Sequence, residues 1–169
     1  KIYLPSSNIK ENSKREFLNN YEKNKFITEN KITRLHKNHS TILRISNLIG
    51  YKKNNLRKVH LTYVDYLLKI TNEGKMYENG KRFKDFLDIN SFSKIIHLII
   101  KNKINGIYNV SIGKKIYLDE INKWILHYYK PIKKLKVYNL RNEKDDESFF
   151  LNNSKLLKKI NINLSKQKL

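Results

Sequence analysis

Tyr21 and Lys25 are the residues of this chain whose types and spacing most directly suggest chemistry. On a helix, residues four apart lie on the same face, one turn from each other, so a phenol and an ammonium group at these positions are neighbours. A nearby cation favours the phenolate form, and a phenol that gains and loses a proton can act as a general acid and base. Ser6 and Ser7 precede the pair and add two hydroxyl groups. Taken alone, Tyr21 could equally be one of the packing residues among the 11 tyrosines, so the pair raises the question of proton transfer and leaves it open.

The pair lies in a predicted amphipathic helix that spans residues 13–37. One stripe of this segment has alternating spacings of three and four residues, which is the period of a single helix face. The stripe consists of Leu18, Tyr21, Lys25, Thr28, Ile32 and Leu35. We expect this face to be buried, so Lys25 is predicted to be a cation that is directed inward and needs a partner there.

Strands and helices alternate along the rest of the chain. The β-branched run at residues 41–46 is typical of a buried parallel strand. The patterns predict further strands at 1–5, 76–80, 83–89, 106–110 and 135–140, and further helices at 56–70, 92–102, 118–129 and 154–160. Such alternation indicates an α/β fold with a largely parallel sheet.

The composition limits the possible classes of protein. A chain of 169 residues has room for one domain with a hydrophobic core. It has no cysteine, which excludes disulfide scaffolds and thiolate metal sites, and its five histidines show no metal-ligand spacing. No apolar run approaches the length of a membrane span, so we expect no membrane partner and a cytoplasmic location. Asp85 and Asp88 are expected to be solvated.

The formal net charge of +21 raises the question of a nucleic-acid partner. The cations are 30 lysines and 6 arginines, however, and arginine is the preferred residue for bidentate recognition of phosphate and guanine. The lysines are also scattered along the chain instead of forming one block. A solvated basic surface is therefore the favoured interpretation, and a small basic nucleic-acid-binding module stays the alternative function.

Several segments, in order, resemble a known family of enzymes. Downstream of the two serines and the Tyr21/Lys25 helix come RISNLIG (44–50), KDFLDI (84–89), GIYNVSIG (106–113), YLDEI (117–121) and FFLNNSKLL (149–157). This order resembles the extended short-chain dehydrogenases/reductases, which are NAD(P)-dependent nucleotide-sugar epimerases, dehydratases and reductases. The resemblance covers essentially the whole chain.

The resemblance implies a partial Rossmann-like parallel sheet with flanking helices, plus a small α+β substrate-binding subdomain. Residues 1–50 would be the remaining C-terminal half of the cofactor domain, to which a strand near residues 106–110 would also belong. Residues 51–169 would otherwise form mainly the substrate-binding subdomain. The implied cofactor is NAD or NADP, the implied partner is a nucleotide-diphosphate sugar, and the intact enzyme is expected to form a homodimer.

The same resemblance implies catalytic roles for three residues. Tyr21 would be the general acid and base, and Lys25 would stabilise its phenolate and bind the ribose of the nicotinamide nucleotide. Ser7 would hydrogen-bond the substrate oxygen, and Ser6 would be its supporting neighbour on the cofactor side.

Two further residues are implied to contact the substrate. Asn47 would contact the nucleotide sugar, and Lys84 would bind a phosphate of the substrate. Each also has a simpler interpretation, since Asn47 could cap a strand and Lys84 could be an ordinary surface cation.

Three departures from the family pattern limit what the chain can do alone. The five glycines form no G-x-x-G-x-x-G turn, so the backbone cradle for a pyrophosphate is missing. We expect this turn in an N-terminal half of roughly a hundred residues outside the chain. Ser7 is followed by Asn8, Ile9 and Lys10 where the family has Val-Tyr-Gly, and it lies closer to Tyr21 in sequence than is typical.

The third departure is that no Asp-Glu pair follows Ser7, which disfavours dehydration and leaves reduction or epimerisation of a keto-sugar. The chain alone is expected to be inactive, because most of the cofactor site is absent. A truncated, aggregation-prone remnant is a further interpretation of the same observation.

Overall fold

The computed structural model describes residues 20–36, 39–50, 62–130, 133–139 and 148–161. The elements within them are α1 (Asn20–Leu35), β1 (Thr41–Ile45), β2 (Asn47–Ile49), α2 (Tyr63–Asn72), β3 (Lys75–Glu78), β4 (Phe83–Lys84), β5 (Phe86–Asp88), α3 (Ile89–Lys101), β6 (Gly106–Val110), β7 (Ile116–Tyr117), α4 (Leu118–Tyr129), β8 (Lys136–Asn139) and α5 (Ser154–Ile160). Helices and short, mostly parallel strand pairs alternate, so the predicted α/β class is confirmed. The predicted strand at 1–5 lies outside the described residues.

The chain divides into two compact units. Unit 1 comprises Lys1–Gly50, Asp85–Lys114 and Phe150–Leu169, and unit 2 comprises Tyr51–Lys84 and Lys115–Phe149. The functional division expected from the resemblance, with a cofactor part at 1–50 and 106–110, stays a prediction.

Two parallel strand pairs form the framework of unit 1. β1 pairs with β6, and β2 pairs with β5. β-Branched and aromatic side chains suit these strands, since each pairs with a neighbour and packs against the core. The core contains Leu87, Ile95, Val110 and Leu156, all with 1% or less of their surface exposed. This core joins β5 and β6 to α3 and α5.

Helix α3 begins at Ile89, three residues before its predicted start. The reason is its N-cap: the side chain of Asp88 accepts a hydrogen bond from the Ser91 N–H at 2.8 Å. An aspartate at this position satisfies one of the unpaired N–H groups of the first turn and its charge favours the helix N-terminus. Asp88 is therefore half-buried and has a structural role, so the expectation that it is simply solvated is wrong.

Unit 2 contains a parallel pair, β3 with β8, and an antiparallel pair, β4 with β7. Helix α2 starts with a capping box in which Thr62 and Asp65 bond each other's backbone N–H groups. The part of the predicted 56–70 helix before Thr62 lies outside the described residues. The predicted strand at 83–89 is divided at Asp85, so that β4 belongs to unit 2 and β5 to unit 1.

Two features are absent from the described ranges. No helix there is both long and apolar enough to cross a membrane. Equally, no cluster of three or more histidine, aspartate or glutamate side chains in those ranges could hold a metal ion.

Candidate functional site

Helix α1 places Tyr21 and Lys25 on one face, as their spacing predicts. The Lys25 Nζ lies 5.2 Å from the centroid of the Tyr21 ring, within the range of a cation–π contact. Tyr21 is 55% exposed, whereas Lys25 is half-buried. A positive charge thus lies over the face of an exposed phenol ring.

The pair borders a groove of about 350 Å³ between α1 and β1. Asn24, Thr28 and Ile32 continue the α1 side, and residues 41–43 form the β1 side. The volume falls in the range of small-molecule sites. A ligand in this groove would lie directly against the phenol and the ammonium group.

The prediction that the whole α1 stripe is buried is wrong. Leu35 is 65% exposed and Thr28 is also exposed, whereas the contacts to the strands come from Phe26, Glu29 and Ile32. The buried face is therefore rotated by about one residue from the predicted one, and Lys25 lies at its margin.

Glu29 and Arg44 form an ion pair between α1 and β1. The Arg44 Nε donates to the Glu29 Oε2 at 3.1 Å, and the Arg44 Nη2 donates to Oε1. Glu29 is 3% exposed. A buried carboxylate needs such a partner, because burying it unpaired costs several kcal/mol. Arg44 begins one of the family-like segments (44–50), but its contact with Glu29 was not predicted.

Asn47 lies at the start of β2, and its side chain is held by one main-chain carbonyl. The Asn47 Nδ2 donates to the Asp85 carbonyl oxygen at 3.1 Å, and the Asn47 N–H donates to the same oxygen at 3.2 Å. These two bonds fix Asn47 to the residue that precedes β5 within unit 1.

The expectation that Asp85 is solvated is wrong, because its side chain is completely buried. One carboxylate oxygen accepts the N–H of Ile112 at 3.2 Å, and the other accepts those of Gly113 and Leu151, each at 3.1 Å. Burial raises the pKa of Asp85 from 3.8 to about 6, although these N–H groups and the Ser111 hydroxyl act in the opposite direction. Asp85 therefore ties three segments of unit 1 together.

Lys84 borders a smaller cavity of about 190 Å³ in unit 2. Its Nζ lies 5.3 Å from the centroid of the Tyr63 ring and 5.7 Å from that of Phe149. Arg82 and Tyr77 also line the cavity, which combines aromatic rings with two cations. Such a lining suits a ligand that has both a planar ring and negative charge.

The structure thus brings Tyr21 and Lys25 together and places Asn47 in the same unit, while Lys84 belongs to unit 2. Ser6 and Ser7 lie outside the described residues. Asp85 and the aromatic residues around Lys84 had not been predicted as parts of a site. In the sequence, the only indication of them was the charged pair Lys84 and Asp85 within the otherwise largely apolar segment 83–89.

No protein-family profile matches the sequence. No curated protein sequence matches it either. Solved structures, however, show a clear likeness of fold.

A UDP-N-acetylglucosamine 4-epimerase from Methanobrevibacter ruminantium M1, in complex with UDP-N-acetylmuramic acid, superposes with a TM-score of 0.67 at 18% identity over 96% of this chain and 53% of that one. An ADP-L-glycero-D-manno-heptose-6-epimerase from Helicobacter pylori gives a TM-score of 0.68 at 15% identity, over 95% and 50% of the two chains. A dTDP-glucose 4,6-dehydratase from Bacillus anthracis, in complex with NAD, gives 0.64 at 15% identity, over 95% and 52%.

The chain spans about half the length of these structures. At identities this low the likeness shows the fold alone. It confirms the resemblance at that level: the chain has the fold of part of an extended short-chain dehydrogenase/reductase.

Proposed function

We propose that the chain is the C-terminal part of an NAD(P)-dependent nucleotide-sugar reductase or epimerase of the extended short-chain dehydrogenase/reductase family. The observation that carries this proposal is the Tyr21/Lys25 pair, which borders a ligand-sized groove in a fold shared with nucleotide-sugar epimerases. The resemblance in the order of the sequence segments and the likeness of fold support the same family.

The residues at the groove fit one end of a nicotinamide nucleotide. Lys25 offers three N–H donors to a ribose, and the groove has room for a small ring. When bound, the nicotinamide would supply hydride transfer to or from a sugar carbon. The pyrophosphate cradle would have to come from residues outside the chain, since the chain contains no glycine-rich turn.

Tyr21 would move the proton that accompanies the hydride. In the oxidising direction, its phenolate oxygen takes the proton of the sugar hydroxyl while the carbon–hydrogen bond gives up a hydride. In the reducing direction, its phenol O–H returns a proton to the carbonyl oxygen. Lys25 stabilises the phenolate by its charge, and Ser7 is proposed to hydrogen-bond the same sugar oxygen.

The substrate is proposed to be a nucleotide-diphosphate sugar. Asn47 would contact the sugar with its amide group, whose Nδ2 also bonds the Asp85 carbonyl oxygen. Lys84 would bind a phosphate, and Tyr63 and Tyr77 in the cavity beside it offer rings for a planar base.

The test uses the intact enzyme, including the segment proposed to precede residue 1, with UDP-N-acetylglucosamine and NAD or NADP as probes. Tyr21→Phe removes only the phenol oxygen, and we expect kcat to fall by about 10² or more, since general acid–base catalysis contributes 10²–10⁴-fold. Tyr128→Phe is the matched control, because that phenol is 83% exposed on α4. A near-normal kcat for Tyr21→Phe would show that Tyr21 does not transfer the proton.

A further inference from the structure

Three ionisable side chains follow one another along one face of α1, each four residues from the next: Tyr21, Lys25 and Glu29. Residues at this spacing are neighbours on a helix, and opposite charges there attract. Lys25 thus has the phenol on one side and a carboxylate on the other. If Glu29 took Lys25 as its partner, the ammonium group would be drawn one turn away from Tyr21.

Arg44 of β1 competes with Lys25 for this carboxylate, because its Nε and Nη2 groups donate to both Glu29 oxygens. Glu29 is 3% exposed, so few directions are open from which another cation could approach. Within the described part of the chain, Lys25 makes no ion pair, and its Nζ remains 5.2 Å from the centroid of the Tyr21 ring.

We propose that Arg44 is a positioning residue for the Tyr21/Lys25 pair: by binding both oxygens of Glu29, it leaves the Lys25 ammonium group with Tyr21. The inference rests on the proposed function, in which Tyr21 transfers the proton. An arginine suits this role because its planar guanidinium matches the two oxygens of a carboxylate, whereas a lysine ammonium is a point charge. A lysine at this position has no such pair of fixed donors and would hold the Glu29 carboxylate less firmly against Lys25.

The attachment of α1 to the strands does not depend on the ion pair alone. Phe26 and Ile32 of α1 pack around Ile42 of β1, together with Ile107 of β6. Replacing both members of a buried ion pair by neutral side chains is often close to neutral for stability, whereas removing one member is not. A second substitution at Glu29 can therefore separate a restraining role of Arg44 from a purely structural one.

The test compares Arg44→Met, Glu29→Gln and the double variant in the intact enzyme, with UDP-N-acetylglucosamine and NAD as probes. Arg44→Met frees Glu29 to pair with Lys25, so we expect kcat to fall about ten-fold or more while KM changes less than about two-fold. The double variant has no carboxylate at position 29, so kcat should recover to within about three-fold of the unmodified enzyme. A double variant as slow as Arg44→Met overturns the proposal.

A second measurement does not need turnover. In protein labelled with carbon-13 at the tyrosine ring, the NMR signal of Tyr21, assigned with Tyr21→Phe, should shift in Arg44→Met and return in the double variant. An unchanged signal in all variants overturns the proposal. If the signal behaves as expected but the unmodified enzyme converts no nucleotide sugar, the proposed function fails while the positioning role of Arg44 is supported.

Arg44→Lys is the variant to use if Arg44→Met does not fold. Because it keeps a cation beside Glu29, we expect a smaller loss of kcat, about three-fold, that Glu29→Gln again relieves. A loss that Glu29→Gln leaves unrelieved overturns the proposal.

Discussion

Replacing Asp85 by asparagine removes a fully buried charge while nearly preserving the shape of the side chain. The carboxylate accepts N–H groups from Ile112, Gly113 and Leu151, so it joins the segment after β6 to the segment before α5. Burial without a cation makes this carboxylate hold its proton more tightly in the folded protein than in the unfolded chain. Its pKa in the folded protein is raised from 3.8 to about 6.

The sign of the pH effect follows from this raised pKa. Since the folded state binds the proton more tightly, the group contributes stability at low pH that is lost as the pH rises from about 4 to about 6. For one group with these two pKa values, the loss between about pH 4.5 and about pH 7.5 is roughly 2 kcal/mol. Asparagine does not titrate, so the stability of the variant lacks this pH-dependent contribution.

The measurement is the free energy of unfolding by urea for the protein and for Asp85→Asn across this pH range. Other carboxylates titrate in both proteins, so their effects cancel in the difference. We expect the free energy of unfolding of Asp85→Asn, relative to that of the unmodified protein, to increase by about 2 kcal/mol as the pH rises from about 4.5 to about 7.5. Asp88→Asn is the control, since asparagine caps a helix as well as aspartate does. A difference that stays constant with pH would refute the assignment of a raised pKa to Asp85.

Two further predictions concern ligands. Lys84→Gln should weaken the binding of UDP, used as a probe and measured by calorimetry, about ten-fold, because a charge-assisted hydrogen bond to phosphate is worth about 1.5–3 kcal/mol. The exposed Lys81, changed to Gln, is its control, and equal losses in both variants would contradict a specific role for Lys84. Single-stranded and duplex DNA should bind weakly or not at all at low salt; tight binding that falls steeply as salt rises would instead favour the nucleic-acid-binding alternative.

The sequence alone determined the features that depend on near neighbours in the chain. The four-residue spacing of Tyr21 and Lys25 determines that they share a helix face, because helix periodicity is a local property. The β-branched run of β1 and the apolar stripe of α3 were equally visible, since side-chain shape and hydrophobic periodicity act within one element. The α/β class followed from the alternation of these elements, whereas the pairing of β1 with β6, two strands far apart in sequence, came from the structure.

Only the tertiary structure decided the features that depend on residues distant in sequence. The rotation of α1 is set by the contact of Glu29 with Arg44, two residues 15 positions apart. Asp85 had the appearance of a solvated charge, but it is buried because N–H groups up to 66 residues away satisfy it. A charged residue is buried where the fold supplies its partners, and a hydrophobic pattern carries no information on those partners. The placement of Tyr21 and Lys25 on a helix was therefore predictable, whereas the ion pair beside them and the buried carboxylate of Asp85 were not.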